Sequence, residues 1–232
     1  KLIAKSQLRF AHEALFGVGA GCFEQLLAGT SCKVTTLNGA HDVTPFLASR
    51  SAEIANFGYA VSGNNCSLFA NLILRYGGTR ETLAETLRSG PSLWAWARAA
   101  GFHTVYIDAQ LARGHLQNGM TLGERSEIDE LAQLGDAPIP ERDARAASAL
   151  AALARDDRRS FVLVNKWGSH FPFARNYPPE SAHFQPAMAP DEPIGADRPG
   201  LLNAYRNSVR WTTDRFFELL LAGDLGSSVL LY

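Results

Sequence analysis

Three short runs carry residue types that suit work on an oxyanion. The first is Ser62-Gly63-Asn64-Asn65-Cys66-Ser67, which leads into an apolar stretch. A hydroxyl or thiol at a helix start meets unpaired backbone N–H groups and the positive end of the helix dipole. Such a place can hold phosphate or sulfate and can lower the pKa of a nucleophile, so Ser67 and Cys66 both stand as candidates. The competing reading is plain: serine is a favoured helix cap, and a lone cysteine is often only a small packed side chain. The second run is Trp167-Gly168-Ser169-His170. A histidine there can bind an anion, transfer a proton or ligate a metal, or it can be a packing residue. The third is Tyr106-Ile107-Asp108-Ala109-Gln110, where Asp108 can ligate, orient a partner, or cap a turn. Gly17-Val18-Gly19-Ala20-Gly21 lacks the spacing of a dinucleotide loop and a clear preceding strand. His12, His41, His115 and His183 form no metal-ligand spacing and read as surface residues.

The elements around these runs decide where they sit. Residues 44–53 read as a helix, with Thr44 as N-cap and Pro45 at the first helical position. Residues 54–61 read as a strand, and Cys66–Tyr76 as a helix closed by Gly77-Gly78. Residues 80–88 and 92–100 read as helices, Thr104–Ile107 as a buried strand ending at Asp108, and 141–155 as an Ala-rich helix. Ser160–Val164 reads as another strand, leading straight into the His170 run. Residues 171–199 hold seven of the eleven prolines and no periodicity, which predicts a long loop. Residues 200–222 read as a long helix and 228–232 as a last strand. Strands alternating with helices predict an α/β fold with a mostly parallel sheet, whose ligands gather beyond the carboxyl ends of the strands.

Composition narrows the function. The 232 residues are 46% hydrophobic and 19% charged, enough to bury a core. A net charge of −1 offers no basic excess for a phosphate backbone, so nucleic acid is not an expected partner. Three cysteines without a CxxC argue against a disulfide framework and a cysteine-rich zinc site. No apolar run reaches the length of a membrane span. The chain starts at Lys1 and ends inside the apolar run Ser228–Tyr232, and both ends read as cut.

Several runs fit one family in order and spacing from residue 37 to 232. Asn38-Gly39 with Asp42-Val43-Thr44-Pro45-Phe46-Leu47-Ala48 resembles the start of the catalytic domain of bacterial phosphoethanolamine transferases, sulfatase-like members of the alkaline phosphatase superfamily. Asn65-Cys66-Ser67 with Arg75-Tyr76-Gly77 resembles that family's nucleophile helix. Tyr106-Ile107-Asp108-Ala109-Gln110 resembles its aromatic-Ile-Asp-Asn-Gln strand end. Trp167-Gly168-Ser169-His170-Phe171-Pro172 and Tyr177-Pro178-Pro179 are similar to its Met-Gly-Ser-His-Gly-Pro and Tyr-Pro pattern. Tyr205-Arg206-Asn207-Ser208-Val209 with Thr213-Asp214 is similar to its helix before the last metal-binding strand.

The resemblance implies a three-layer αβα sandwich, incomplete at its C-terminus, and a zinc or other divalent metal at the strand ends. It implies Ser67 as nucleophile and metal ligand, His170 as phosphoryl-binding residue or acid, and Asn65, Asp108 and Gln110 as substrate-binding residues. The implied reaction takes phosphoethanolamine from a phospholipid donor and passes it to a sugar or lipid acceptor of the cell envelope. The implied place is the periplasmic face of the inner membrane, reached through a membrane segment outside this chain. Departures bear on the metal. The family's first ligand carboxylate falls here near Ala28-Gly29-Thr30, where there is no acid, and Glu24 is the nearest candidate. Residues 1–36 do not resemble the family, and its Asp-His-Gly ligands would follow Tyr232. A catalytic zinc normally needs three protein ligands, so the chain by itself is expected to be inactive. Cys66-Ser67-Leu68-Phe69-Ala70 does not match the sulfatase nucleophile pattern. The alternatives are a phosphoglycerol transferase, phosphodiesterase or sulfatase of the same superfamily, or a non-catalytic remnant that only binds.

Overall fold

In the computed structural model, two runs rich in β-branched and aromatic residues and a third, Glu-Leu-Ala-Gln, pair as a parallel sheet. They are β3 (His103–Asp108), β4 (Glu130–Gln133) and β5 (Ser160–Asn165), in the order β4-β3-β5. The structure describes residues 9–13, 33–37, 43–54, 62–64, 66–192 and 198–232. The expected strand 54–61, the glycine run 17–21, Asn38, Gly39, Asp42 and the candidates Glu24 and Asn65 lie outside the described residues apart from Ile54.

The chain divides into two compact units, residues 1–61 and 62–232. In the first, β1 (Arg9–Glu13) and β2 (Lys33–Leu37) pair in parallel with Arg9 opposite Lys33. Sequence reading assigned neither strand, although Val34, Thr35 and Thr36 are strand formers. The predicted helix 44–53 is split into α1 (Pro45–Ser49) and a 3-10 turn at Ser51–Glu53. Thr44 is the N-cap, but its side chain makes no capping bond.

The second unit follows the helical expectations closely. Its helices are α2 (Ser67–Tyr76), α3 (Leu83–Ser89), α4 (Leu93–Ala99), α5 (Leu122–Arg125), α6 (Ile139–Ala154) and α7 (Arg198–Leu220). Helix α2 ends where predicted because Gly77 takes the left-handed conformation, φ 73°, which a β-carbon disfavours. Ser92 caps α4 by accepting from the Ala95 N–H at 3.2 Å. Helix α5 and strand β4, each four residues long, were not foreseen, because so short an element shows no periodicity.

The sheet is covered on both faces. Tyr106, partnered in register by Leu131 and Leu163, packs with Trp94 of α4, Met120 and Ile128. Trp94 meets Tyr106 and Phe161 edge-on at 5.8 and 5.7 Å. Val105 and Ile107 alternate to the opposite face and are fully buried. Helix α6 lies against β3 and β5 and packs along α7, with Ala146, Ala147 and Ala151 buried. Small side chains let it approach closely.

One expectation fails. Residues 228–232 form no strand. Val229 is 89% exposed and Leu231 80%. An extended run becomes a strand only through a ladder to a neighbour, and among the described residues it has none. Residues 171–192 are a loop as expected, organised by short 3-10 turns at Phe173–Arg175 and Pro179–Ser181.

Candidate active site

Parallel register lines up the strand ends. Asp108 stands opposite Gln133 on one side and Asn165 on the other, so the three side chains share one face and one edge. Asp108 is 2% exposed. Its Oδ1 accepts from the Gln110 N–H at 3.0 Å, Asn165 Nδ2 at 3.0 Å and Gln117 Nε2 at 3.3 Å. Burial pushes the Asp108 carboxyl above its ordinary value, and these hydrogen bonds oppose but do not cancel that rise. Gln110 closes the network: its Nε2 donates to Lys166 O at 2.8 Å, and its Oε1 accepts from Gln117 Nε2 at 3.1 Å. Two predicted site residues, Asp108 and Gln110, are therefore joined. Gln117 and Asn165, which complete the cluster, were not singled out from sequence.

Strand β5 runs directly into the loop bearing His170, and buried polar side chains hold that loop. Asp143 of α6, 5% exposed, accepts from the N–H groups of Trp167 and Gly168 at 2.7 and 2.9 Å. Burial raises its carboxyl above the ordinary value, while the Lys166 ammonium pulls it down. Asn176, 1% exposed, donates to His170 O at 2.6 Å and Ser208 Oγ at 2.9 Å, and accepts from Trp167 Nε1 at 2.8 Å. Ser169 Oγ lies 3.2 Å from Thr212 Oγ1 of α7. Gly168 has φ 64°, which explains a glycine there. The Arg142 guanidinium lies 4.8 Å over the Trp167 ring and donates to Gln110 O at 3.3 Å, tying this loop to the Asp108 cluster.

His170 itself is exposed. Its Nδ1 lies 2.7 Å from Phe171 O. A proton on Nδ1 satisfies that contact and leaves Nε2 as the basic nitrogen.

Ser67 is the first residue of α2 and is exposed, as is Cys66 at the N-cap. The Cys66 N–H donates to Asn64 Oδ1 at 3.0 Å, and the Cys66 thiol makes no cap bond. The helical ladder begins with Ala70 N donating to Cys66 O at 2.9 Å. The N–H groups of Ser67, Leu68 and Phe69 precede it and have no hydrogen-bond acceptor among the described residues, the donors that a helix start can turn toward an anion. Among the described residues, no hydrogen bond joins Ser67 to Asp108, Gln110 or His170. The link is indirect: a β-carbon on Gly119, φ 70°, would lie 3.2 Å from Leu68 and 3.1 Å from Leu72, so α2 packs on the turn that follows Gln117.

The described residues do not fit a metal centre: among them no three His, Cys, Asp or Glu side chains gather. Among them no hydrogen bond joins Ser67 to a carboxylate or an imidazole, and Glu24 is outside them. No helix among the described residues is long and apolar enough to cross a membrane.

The buried clamps were hidden in the sequence for identifiable reasons. Asp143 sits in a charged stretch of an Ala-rich helix and reads as a solvated face. Asn176 and Ser208 adjoin runs already quoted, but nothing local assigns them a partner.

No family model and no curated protein matches the chain. Solved structures do. The C-terminal periplasmic domain of EcEptC from Escherichia coli superposes with TM-score 0.65 at 16% identity, covering 93% of this chain. The same domain in complex with Zn gives TM-score 0.66 at 15% identity, again over 93% of this chain. The chain spans 57% of the length of either structure. At this identity the likeness is one of fold: the chain has the mixed α/β, alkaline-phosphatase-like fold of the C-terminal periplasmic domain of EcEptC.

Proposed function

We propose that this chain is part of a phosphotransferase domain that moves phosphoethanolamine from a phospholipid to a sugar or lipid acceptor of the cell envelope. One observation carries the reading. EptC is a phosphoethanolamine transferase, and a fold likeness at 16% identity is nearly independent of the short motifs that suggest the same family. Ser67 is the proposed nucleophile. Its Oγ attacks the donor phosphorus, and the bond from phosphorus to the diacylglycerol oxygen breaks. Phosphoethanolamine is left esterified to Ser67, and an acceptor hydroxyl then displaces the serine. The free N–H groups at the start of α2 would hold the phosphoryl oxygens through the charge that develops. Nε2 of His170 would take up and return the proton. Asp108 and Gln110 would set the strand-end surface on which the donor rests, and Asn65 belongs to the proposal through its place before Cys66-Ser67.

Zinc enters through the neighbour's zinc complex and the resemblance, with Ser67 and Glu24 as the candidate ligands in this chain. The described residues do not assemble a site for it. Inner-membrane anchorage through a segment outside this chain belongs to the same proposal, supported by the periplasmic origin of the neighbour's domain.

The test uses the protein that contains this chain, incubated with labelled phosphatidylethanolamine. A phosphoethanolamine adduct on the peptide carrying Ser67 is expected, lost in Ser67→Ala and kept in Cys66→Ala. An adduct that survives Ser67→Ala, or moves with Cys66, overturns the assignment. The 232-residue chain alone is expected to release no diacylglycerol, and turnover by it would refute that part.

A further inference from the structure

His170 is exposed, and an exposed side chain ordinarily has several staggered rotamers open to it. Its neighbours here restrict that choice. The Trp167 indole lies 5.1 Å from the imidazole, centroid to centroid, at a tilt of 44°, inside the range in which rings attract. Nδ1 is engaged by Phe171 O at 2.7 Å. Phe171 packs edge-on against Phe173 at 5.4 Å, and Phe173 meets Tyr205 of α7 at 4.8 Å. The indole is itself fixed. The Arg142 guanidinium lies 4.8 Å from its ring centre and is pinned by Ala137 O, Gly135 O and Gln110 O at 2.9, 2.5 and 3.3 Å.

A single buried side chain grips both the indole and the histidine. Asn176 Oδ1 accepts from Trp167 Nε1 at 2.8 Å, while Nδ2 donates to His170 O at 2.6 Å and to Ser208 Oγ at 2.9 Å. Both amide protons are therefore used. A flipped amide would set Nδ2 against the indole N–H, donor to donor, and its oxygen against a carbonyl. Only one orientation is bonded, so one planar group fixes the indole relative to the histidine backbone. Trp167 stands where the pattern of the resembled family has Met, and a methionine has neither the ring nor the N–H.

We propose that Trp167 and Asn176 are positioning residues for His170. The indole seats the imidazole, and the Asn176 amide locks that seat to the histidine backbone. Nε2 is thereby held in one direction for proton transfer, and neither positioning residue needs to touch the reacting atoms. The inference rests on the reading of His170 as the proton carrier, but the geometry it asserts can be measured without turnover.

The test has two arms. In the first, the imidazole proton signals of His170 in the 232-residue chain are followed by NMR and assigned through His170→Gln. In the parent they are expected to be displaced from those of a free histidine by the indole ring current, with a nuclear Overhauser contact to the indole protons. Trp167→Ala should abolish the displacement. Asn176→Ala should reduce it although the indole remains. Ser92→Ala controls for lost stability alone, since the Ser92 hydroxyl meets Ala95 and Glu127, and it should leave the signals in place. Free-histidine signals or no indole contact in the parent would overturn the proposal, whether or not the variants fold. So would unchanged signals in Asn176→Ala, or an equal change in Ser92→Ala. In the second arm, the protein that contains this chain is given labelled phosphatidylethanolamine. Asn176→Ala should slow adduct formation on Ser67 about 10- to 100-fold, with no further loss when it is added to His170→Ala. Losses that multiply independently would overturn the positioning role. No adduct with the parent would sink the transferase reading instead, and the NMR arm would still decide whether His170 is seated.

Discussion

Asp108 shows how one buried carboxylate organises a strand end. Three donors converge on its Oδ1. Asp108→Ala would take the acceptor from the Gln110 N–H and from Asn165 Nδ2, while Gln117 Nε2 keeps Gln110 Oε1, and each orphaned donor costs about 1–3 kcal/mol. We expect a fall of about 2–4 kcal/mol in unfolding free energy, read by urea titration. Asp108→Asn keeps an acceptor and should cost less. The pH dependence has a definite sign. Burial raises the folded pKa above the unfolded value, so the folded chain holds the proton more tightly. The resulting stabilisation is present below the unfolded value and is lost as pH rises through the raised folded one. Asp108→Asn removes that loss, so its stability relative to the parent should rise from acid toward neutral pH. A pH-independent difference would show that burial does not govern this carboxyl.

At the scale of elements, α2 is fastened by a buried pair. Arg75 Nε donates to Glu124 Oε1 at 2.6 Å with side chains 1% and 0% exposed, and Arg75 Nη2 donates to Asn118 O at 2.8 Å. This joins the end of the proposed nucleophile helix to α5. Glu124→Ala leaves a buried guanidinium without its partner, which typically costs about 3–5 kcal/mol. Replacing both, Arg75→Met with Glu124→Leu, removes the stranded charge and should cost less than Glu124→Ala alone, as denaturant midpoints would show. Equal losses would mean that the pair is not desolvated. The sequence marked Arg75 as part of a motif but not Glu124, 49 residues away, because an ion pair of that separation exists only once α5 has been placed.

At the scale of the molecule, the unit 62–232 contains the sheet, the Trp94 cluster and the packed helices α6 and α7. Produced alone, it should melt in one cooperative thermal transition followed by circular dichroism. A gradual, non-cooperative melt would show that this unit is not one cooperative core.

The sequence by itself determined where the longer helices of this unit lie, though not the four-residue α5, and which residue types stand at the strand ends. Those features follow from local causes: Gly77 closing α2, Ser92 capping α4, β-branched runs at 104–107 and 160–164. It also marked Asp108, Gln110 and His170 as lying at strand ends. Only the tertiary structure decided what they touch. Asp108 meets Asn165 across 57 residues of sequence because parallel register sets them side by side. Asp143 reaches the His170 loop because α6 lies over β5. It also decided that 228–232 is no strand, since apolar alternation predicts a ladder but cannot supply the neighbouring strand that a ladder needs.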